Sequence, residues 1–213
     1  MTGILFDLDG TLLDTLGDLA DSVNHVLTQF GYPNRTLDEI RRFVGNGVFV
    51  LIRRAIPENA DPEPVLAAFR GYYQDHCRIK TGPYAGILDA LASFKGKYPM
   101  AIVSNKPDSA VKALCADFFP GIYALGEAPD LPRKPAPDMV AKAMAAIGVD
   151  RCVYVGDSEV DVETARAAGV PCLSVTWGFR KEEEIRAAGG RYFCDTPGQL
   201  PETIETVIRS NYG

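Results

Sequence analysis

Gly3-Ile4-Leu5-Phe6-Asp7-Leu8-Asp9-Gly10-Thr11 decides the fold. Residues 3–9 read as a short buried strand that runs into Asp-Gly, a turn signal. Asp7 and Asp9, at i and i+2, leave the strand end on the same side, and Gly10 permits a sharp turn. Alone, such a stretch is as readily an ordinary strand–turn with solvated acids. The same kind of run returns later. Met100-Ala101-Ile102-Val103 ends in Ser104-Asn105, Cys152-Val153-Tyr154-Val155 ends in Gly156-Asp157, and Cys172-Leu173-Ser174-Val175 ends in Thr176-Trp177-Gly178. Helical patterns over 108–117, 137–147 and 160–168 separate these runs. Apolar strands alternating with helices predict an α/β fold, a Rossmann-like parallel sheet covered on both faces.

Between the first run and the second the pattern is helical throughout, over 14–80, with no strand expected. Leu16, Leu19, Ala20, Val23, Val26, Leu27 and Phe30 recur at helical spacing, and Gly31 suits a C-cap. Thr36 with Glu39 resembles a capping box, and further helices fit 48–56 and 64–77. The helical block therefore reads as an insertion after the first strand. The expected division is an α/β unit of residues 1–13 and 82–213 with a small helical unit, 14–81, inserted into it.

Composition narrows the class. The 213 residues are 46% hydrophobic and 23% charged, an ordinary globular mix. A net charge of −6 argues against a nucleic-acid partner, and an anionic substrate needs a local cluster of cations or a metal. No apolar run nears the roughly 20 residues that span a bilayer, so no membrane partner is expected. Met1–Phe6 shows no basic patch before a long apolar stretch, so no signal peptide is expected. The five cysteines are scattered with no CxxC pair, which fits a reducing, cytoplasmic setting.

In open α/β sheets, ligands bind beyond the carboxyl ends of the strands. The sheet brings Asp7 and Asp9, Ser104 and Asn105, and Asp157 with Asp161 to one rim. Each acid pair alone has a plain reading, Asp161 as part of a helix start for example. Together the carboxylates repel; two unit charges 4 Å apart cost about 4 kcal/mol at an effective dielectric near 20. A divalent cation relieves that repulsion, and oxygen-only ligands favour Mg²⁺. Lys134, stiffened by Pro135 and Pro137, could pair with Asp7 and a bound phosphate, or be an ordinary solvated loop lysine. Ser104 and Asn105, at a helix start, suit an anion or simply cap the helix.

Asp-x-Asp-Gly-Thr, a strand ending in Ser-Asn, Lys-Pro-x-Pro and Gly-Asp-Ser-x-x-Asp occur here in that order. The ordered set resembles the haloacid dehalogenase superfamily, and the 14–81 insertion resembles that family's helical cap of the first type. The resemblance implies roles. Asp7 would be the nucleophile that forms an aspartyl-phosphate, and Asp9 the general acid and then base. Thr11 would support the turn beside bound substrate, Ser104 would hold a phosphoryl oxygen with Asn105 beside it, and Lys134 would neutralise Asp7 and the phosphate. Mg²⁺ would be held by Asp7, the carbonyl of Asp9 and Asp157, with Asp161 behind them.

The family's dehalogenases lack an acid at the place of Asp9, so the resemblance implies phosphoryl chemistry on a small phosphorylated metabolite. Val44-Gly45-Asn46-Gly47 followed by Arg54-Ala55 resembles the cap pattern of the family's phosphoglycolate phosphatases, as do Tyr72-Tyr73 and Asn105-Lys106-Pro107. That branch implies 2-phosphoglycolate as substrate, with Asn46 and Arg54 at its far end or merely supporting the cap. A sugar-phosphate mutase, a pyrophosphatase and a broad-range phosphatase share the core motifs and stay open. A monomer or homodimer is expected.

Overall fold

The computed structural model describes residues 1–213. The strands are β1 (Thr2–Phe6), β2 (Leu13–Asp14), β3 (Gly82–Pro83), β4 (Met100–Pro107), β5 (Tyr123–Glu127), β6 (Arg151–Gly156), β7 (Cys172–Val175) and β8 (Tyr192–Cys194). Six of them form one sheet in the order β5-β4-β1-β6-β7-β8, and every neighbouring pair is parallel. Alternation explains their unbroken apolar runs. Ile4 and Phe6 of β1, with Val153 and Val155 of β6, enter an apolar cluster on one face. Leu5, Cys152 and Tyr154 enter a second cluster on the other. Helices α5 (Ile87–Phe94), α6 (Asp108–Phe118) and α10 (Leu200–Tyr212) cover the first face. Helices α7 (Asp138–Ala146) and α8 (Glu159–Ala167) cover the second. The short α9 (Glu182–Ala187) precedes β8.

The remaining helices are α1 (Leu16–Gln29), α2 (Leu37–Phe43), α3 (Val48–Ala55) and α4 (Pro62–His76). They pack on each other around a separate cluster of 18 buried residues between Leu16 and Cys77. Gly31 follows α1 at φ +70°, and the Thr36–Glu39 capping box opens α2. The chain enters and leaves this bundle side by side, because β2 and β3 pair antiparallel, Leu13 with Pro83 and Asp14 with Gly82. Asp14 was expected to open the helical block; it lies in this ribbon instead. The buried carboxylate of Asp18 fastens the exit by accepting the backbone N–H groups of Ile79, Lys80 and Thr81 at 2.9–3.0 Å.

Besides the β2–β3 ribbon, two strands of the main sheet escape the sequence pattern. β5 is half exposed and β8 has three residues; both are sheet edges, where one-sided burial and short length blur the apolar run. β1 ends at Phe6, before the expected residue 9, because the chain turns at Asp7–Gly10. β4 runs on to Pro107, with an irregular register after Val103 that turns Ser104–Lys106 over the sheet rim.

Candidate active site

The carboxyl ends of β1, β4 and β6 meet under the helical bundle. Asp7, at the end of β1, accepts a hydrogen bond from Lys134 Nζ through Oδ1 at 2.8 Å, while its Oδ2 accepts none. The Lys134 ammonium also donates to Asp161 Oδ1 at 2.8 Å and to the Tyr154 hydroxyl at 3.0 Å. All three of its donors are thus used in a site only 3% exposed. Burial opposes the lysine's charge, but Asp161 and Asp7 outweigh it and hold the ammonium well above its ordinary pKa.

Asp157 and Asp161 come from the β6–α8 turn. Asp157 accepts Thr11 Oγ1 at 3.1 Å on one oxygen and the backbone N–H of Phe179 at 2.7 Å on the other. Asp161 has two tasks. Its Oδ2 accepts the Ser158 hydroxyl at 2.6 Å and the N–H groups of Ser158 and Asp157, closing the capping box of α8, while Oδ1 meets Lys134. The backbone is fitted closely around these acids. Gly10 sits at φ +86°, and a Cβ there or on Gly178 would strike the Asp157 carboxylate.

Asp7, Asp157 and Asp161 each offer an oxygen within 4.8 Å of the others, all buried. One lysine faces three carboxylates. Burial, then the charge of Asp161, pushes the Asp157 carboxyl up to about 7. Burial raises the Asp7 carboxyl as well; Lys134 pulls it down, but Asp161 and Asp157 add to the rise. The cluster of Asp7, Asp157 and Asp161 is short of positive charge and rich in oxygen ligands, so the residues present fit a Mg²⁺ ion.

From β4, Ser104 is buried and its hydroxyl accepts the backbone N–H of Lys106 at 3.3 Å. Asn105 spends its amide on the Lys134 backbone and on the carbonyl of Gly45 in the bundle. Lys106 donates to both oxygens of Asp9, at 2.9 and 3.1 Å, and lies over the Tyr73 ring at 4.8 Å. Burial opposes its charge; Asp9 and Tyr73 reverse the effect and raise its pKa. Arg180, beyond β7, donates to Glu159 at 3.0 Å and to the carbonyls of Arg41 and Val44 at 2.9 and 2.5 Å.

Between bundle and sheet lies a cleft of about 40 Å³ lined by Asp7, Asp9, Ser104, Asn105, Lys134 and Asp157, among others. The bundle contributes Leu19, Val44, Gly45, Gly47, Val48 and Leu51, and no charged side chain.

A family model described as haloacid dehalogenase-like hydrolase matches residues 4–175. The chain belongs to the haloacid dehalogenase-like hydrolases. A phosphoglycolate phosphatase of Pseudomonas putida is 34% identical over 198 residues, 86% of this chain and 72% of its own. One from Mesorhizobium japonicum is 37% identical over 190 residues, 83% of each chain. A solved structure from Lactobacillus delbrueckii subsp. bulgaricus, a candidate phosphoglycolate phosphatase, superposes with a TM-score of 0.90 at 39% identity, covering 95% of this chain and 97% of that one. No helix of the chain is long and apolar enough to cross a membrane.

Within this haloacid dehalogenase-like frame, sequence reasoning and geometry part company at the far end of the cleft. Arg54 lies outside it, on the exposed side of α3, with its guanidinium 3.3–3.4 Å from the carbonyls of Phe43 and Arg42. The cause is helical phase. Val48, Leu51, Ile52 and Ala55 form the buried stripe of α3, and Arg54 falls off it. Asn46 also lies outside the cleft lining, although Gly45 and Gly47 on either side belong to it. Thr11 is beneath the cleft, on Asp157. Sequence reasoning assigned no role to Lys106, Arg180 or Tyr154. Position gives a signal only for Lys106, which follows Ser104-Asn105 at a strand end.

Proposed function

We propose that this chain is a Mg²⁺-dependent phosphatase that hydrolyses a small phosphomonoester, 2-phosphoglycolate first among them, through a phosphorylated Asp7. The observation that carries the reading is the carboxylate of Asp7, one oxygen fixed by Lys134 and the other bare at the cleft. In the first step Asp7 Oδ2 bonds to phosphorus and the bond from phosphorus to the ester oxygen breaks. Asp9 gives that oxygen its proton. In the second step Asp9 takes a proton from water, the water oxygen bonds to phosphorus, and the Asp7–phosphorus bond breaks. Glycolate and inorganic phosphate leave, and Asp7 is restored.

Ser104 holds a phosphoryl oxygen in this scheme, the charge of Lys134 neutralises Asp7 and the phosphate, and Asn105 keeps Lys134 in place. Asp7, the Asp9 carbonyl and Asp157 would hold Mg²⁺, with Asp161 behind. The metal, when bound, offsets the negative charge that gathers on the transferring group. Residues 14–81 act as a cap that excludes water during the reaction.

The test is phosphate release from 2-phosphoglycolate with Mg²⁺ and with a chelator, beside sugar phosphates, nucleotides and pyrophosphate. Rapid, chelator-sensitive release that prefers phosphoglycolate and vanishes in Asp7→Asn is the expected result. Release that survives Asp7→Asn overturns the mechanism, and release from other esters alone overturns the choice of substrate.

A further inference from the structure

The cleft receives three cationic side chains, Lys134, Arg180 and Lys106, all from outside the bundle. One is fully committed: Lys134 uses its three donors on Asp7, Asp161 and Tyr154. Arg180 spends three of its five N–H groups on Glu159 and on the carbonyls of Arg41 and Val44, which fixes it at the carboxyl end of α2, and it makes no hydrogen bond to Asp9. Lys106 differs. Its only hydrogen-bond acceptor is one carboxylate, Asp9, and its other close neighbour is the face of Tyr73, which attracts a cation without accepting a directed bond from a lone pair. It keeps a donor for a ligand.

Its position matters as much. Under the scheme above, the ester oxygen of the substrate lies within hydrogen-bond reach of Asp9. Lys106 Nζ is 2.9 and 3.1 Å from the two Asp9 oxygens. A carboxylate on the carbon next to the ester oxygen therefore falls beside Nζ. That carboxylate enters a cleft whose opposite wall is Leu19, Val44, Val48 and Leu51. A charge buried there without a partner is costly, so one cation must meet it.

We propose that Lys106, a residue of the sheet domain, is the specificity determinant that receives the carboxylate of the leaving group. The inference rests on the phosphatase reading and names its substrate class, phosphomonoesters of short 2-hydroxy acids. Selection then lies beside the general acid, and the cap supplies the apolar wall and exclusion of water.

The test compares kcat/KM for 2-phosphoglycolate with that for its neutral amide, 2-phosphoglycolamide, and for ethyl phosphate. Wild type is expected to favour the carboxylate by about 10- to 100-fold, the usual span for a charged hydrogen bond. Lys106→Met collapses that ratio toward one, whatever loss is common to all three esters; Lys106→Arg keeps part of it. An unchanged ratio in a folded Lys106→Met, checked by circular dichroism, overturns the assignment. So does a wild-type enzyme that turns over all three esters equally, which needs no variant and leaves the phosphatase reading standing. Hydrolysis of none of the three by wild type removes that reading and the Lys106 assignment with it.

Discussion

Asn105 grips the Lys134 backbone with both ends of one amide: Oδ1 accepts its N–H at 2.8 Å and Nδ2 donates to its carbonyl at 3.0 Å. The grip joins β4 to the loop that carries the cluster's only ammonium. Asn105→Ala removes these two buried hydrogen bonds, about 1 kcal/mol each, together with a weaker, half-buried one to the Gly45 carbonyl at 3.2 Å. Tm is expected to fall by about 4–8 °C for a chain of this size. The catalytic effect is larger than that loss suggests, because Lys134 loses its position against Asp7; kcat drops by about tenfold or more. Thermal melts and steady-state kinetics check both, and unchanged kcat with a lowered Tm would restrict Asn105 to a structural role.

Arg180 bridges the two parts of the molecule. It leaves the loop beyond β7, pairs with Glu159 of α8, and donates to the carbonyls of Arg41 and Val44 at the carboxyl end of α2. A cation there also meets the negative end of the helix dipole. Arg180→Met keeps the apolar stem and removes the grip, so the closed arrangement is less populated. Apparent affinity falls with the closed fraction. The expected outcome is a KM raised by about tenfold with a smaller change in kcat, and faster proteolysis at the two crossings near residues 14 and 81. Equal KM and equal cleavage would dismiss the latch.

Arg180 and Lys106 show where the sequence stops being informative. Strands β1, β4, β6 and β7 are legible because both their faces are buried, which leaves continuous apolar runs. The acids at their ends are legible because they cluster in short motifs, and the cap because α1 has a regular apolar stripe. Arg180 has no such signature. Its partners Arg41 and Val44 lie 139 and 136 residues away, and they offer backbone carbonyls, which every residue has. Lys106 meets Asp9 across 97 residues. Arg54 was the better-placed cation by motif, but motif spacing does not carry the helical phase that turns it outward.

The acid cluster ties stability to pH and to metal. In the metal-free protein the Asp157 carboxyl is raised to about 7 by burial and by Asp161. A raised acid contributes stability that is fully present below its unfolded pKa, near 4, and lost as pH rises through about 7. Asp7 shifts in the same direction. On the proposed function, Mg²⁺ would replace the proton as counter-charge, and its stabilising effect would grow as the proton leaves. Tm with Mg²⁺ minus Tm with chelator is expected to be several degrees at pH 8 and near zero at pH 5. A difference that is constant across that range would place the metal elsewhere.

Gly178 offers a test of the same carboxylate by shape alone. A Cβ on Gly178 would meet Asp157 atoms, while its neighbour Phe179 gives Asp157 Oδ2 its N–H at 2.7 Å. The φ of Gly178 lies outside the left-handed region, so alanine is not penalised by its own backbone. Gly178→Ala therefore acts as overpacking, with a cost of about 1–3 kcal/mol, and displaces the carboxylate or the loop that holds it. Either movement takes an oxygen away from those of Asp7 and Asp161. The midpoint of Mg²⁺-dependent thermal stabilisation is expected to rise by about tenfold in metal concentration, the effect of about 1.4 kcal/mol. Gly198→Ala is the control, since a Cβ there meets nothing within 4 Å. If Gly178→Ala bound Mg²⁺ as tightly as that control, Asp157 would have to tolerate the shift, and its place among the metal's ligands would be lost.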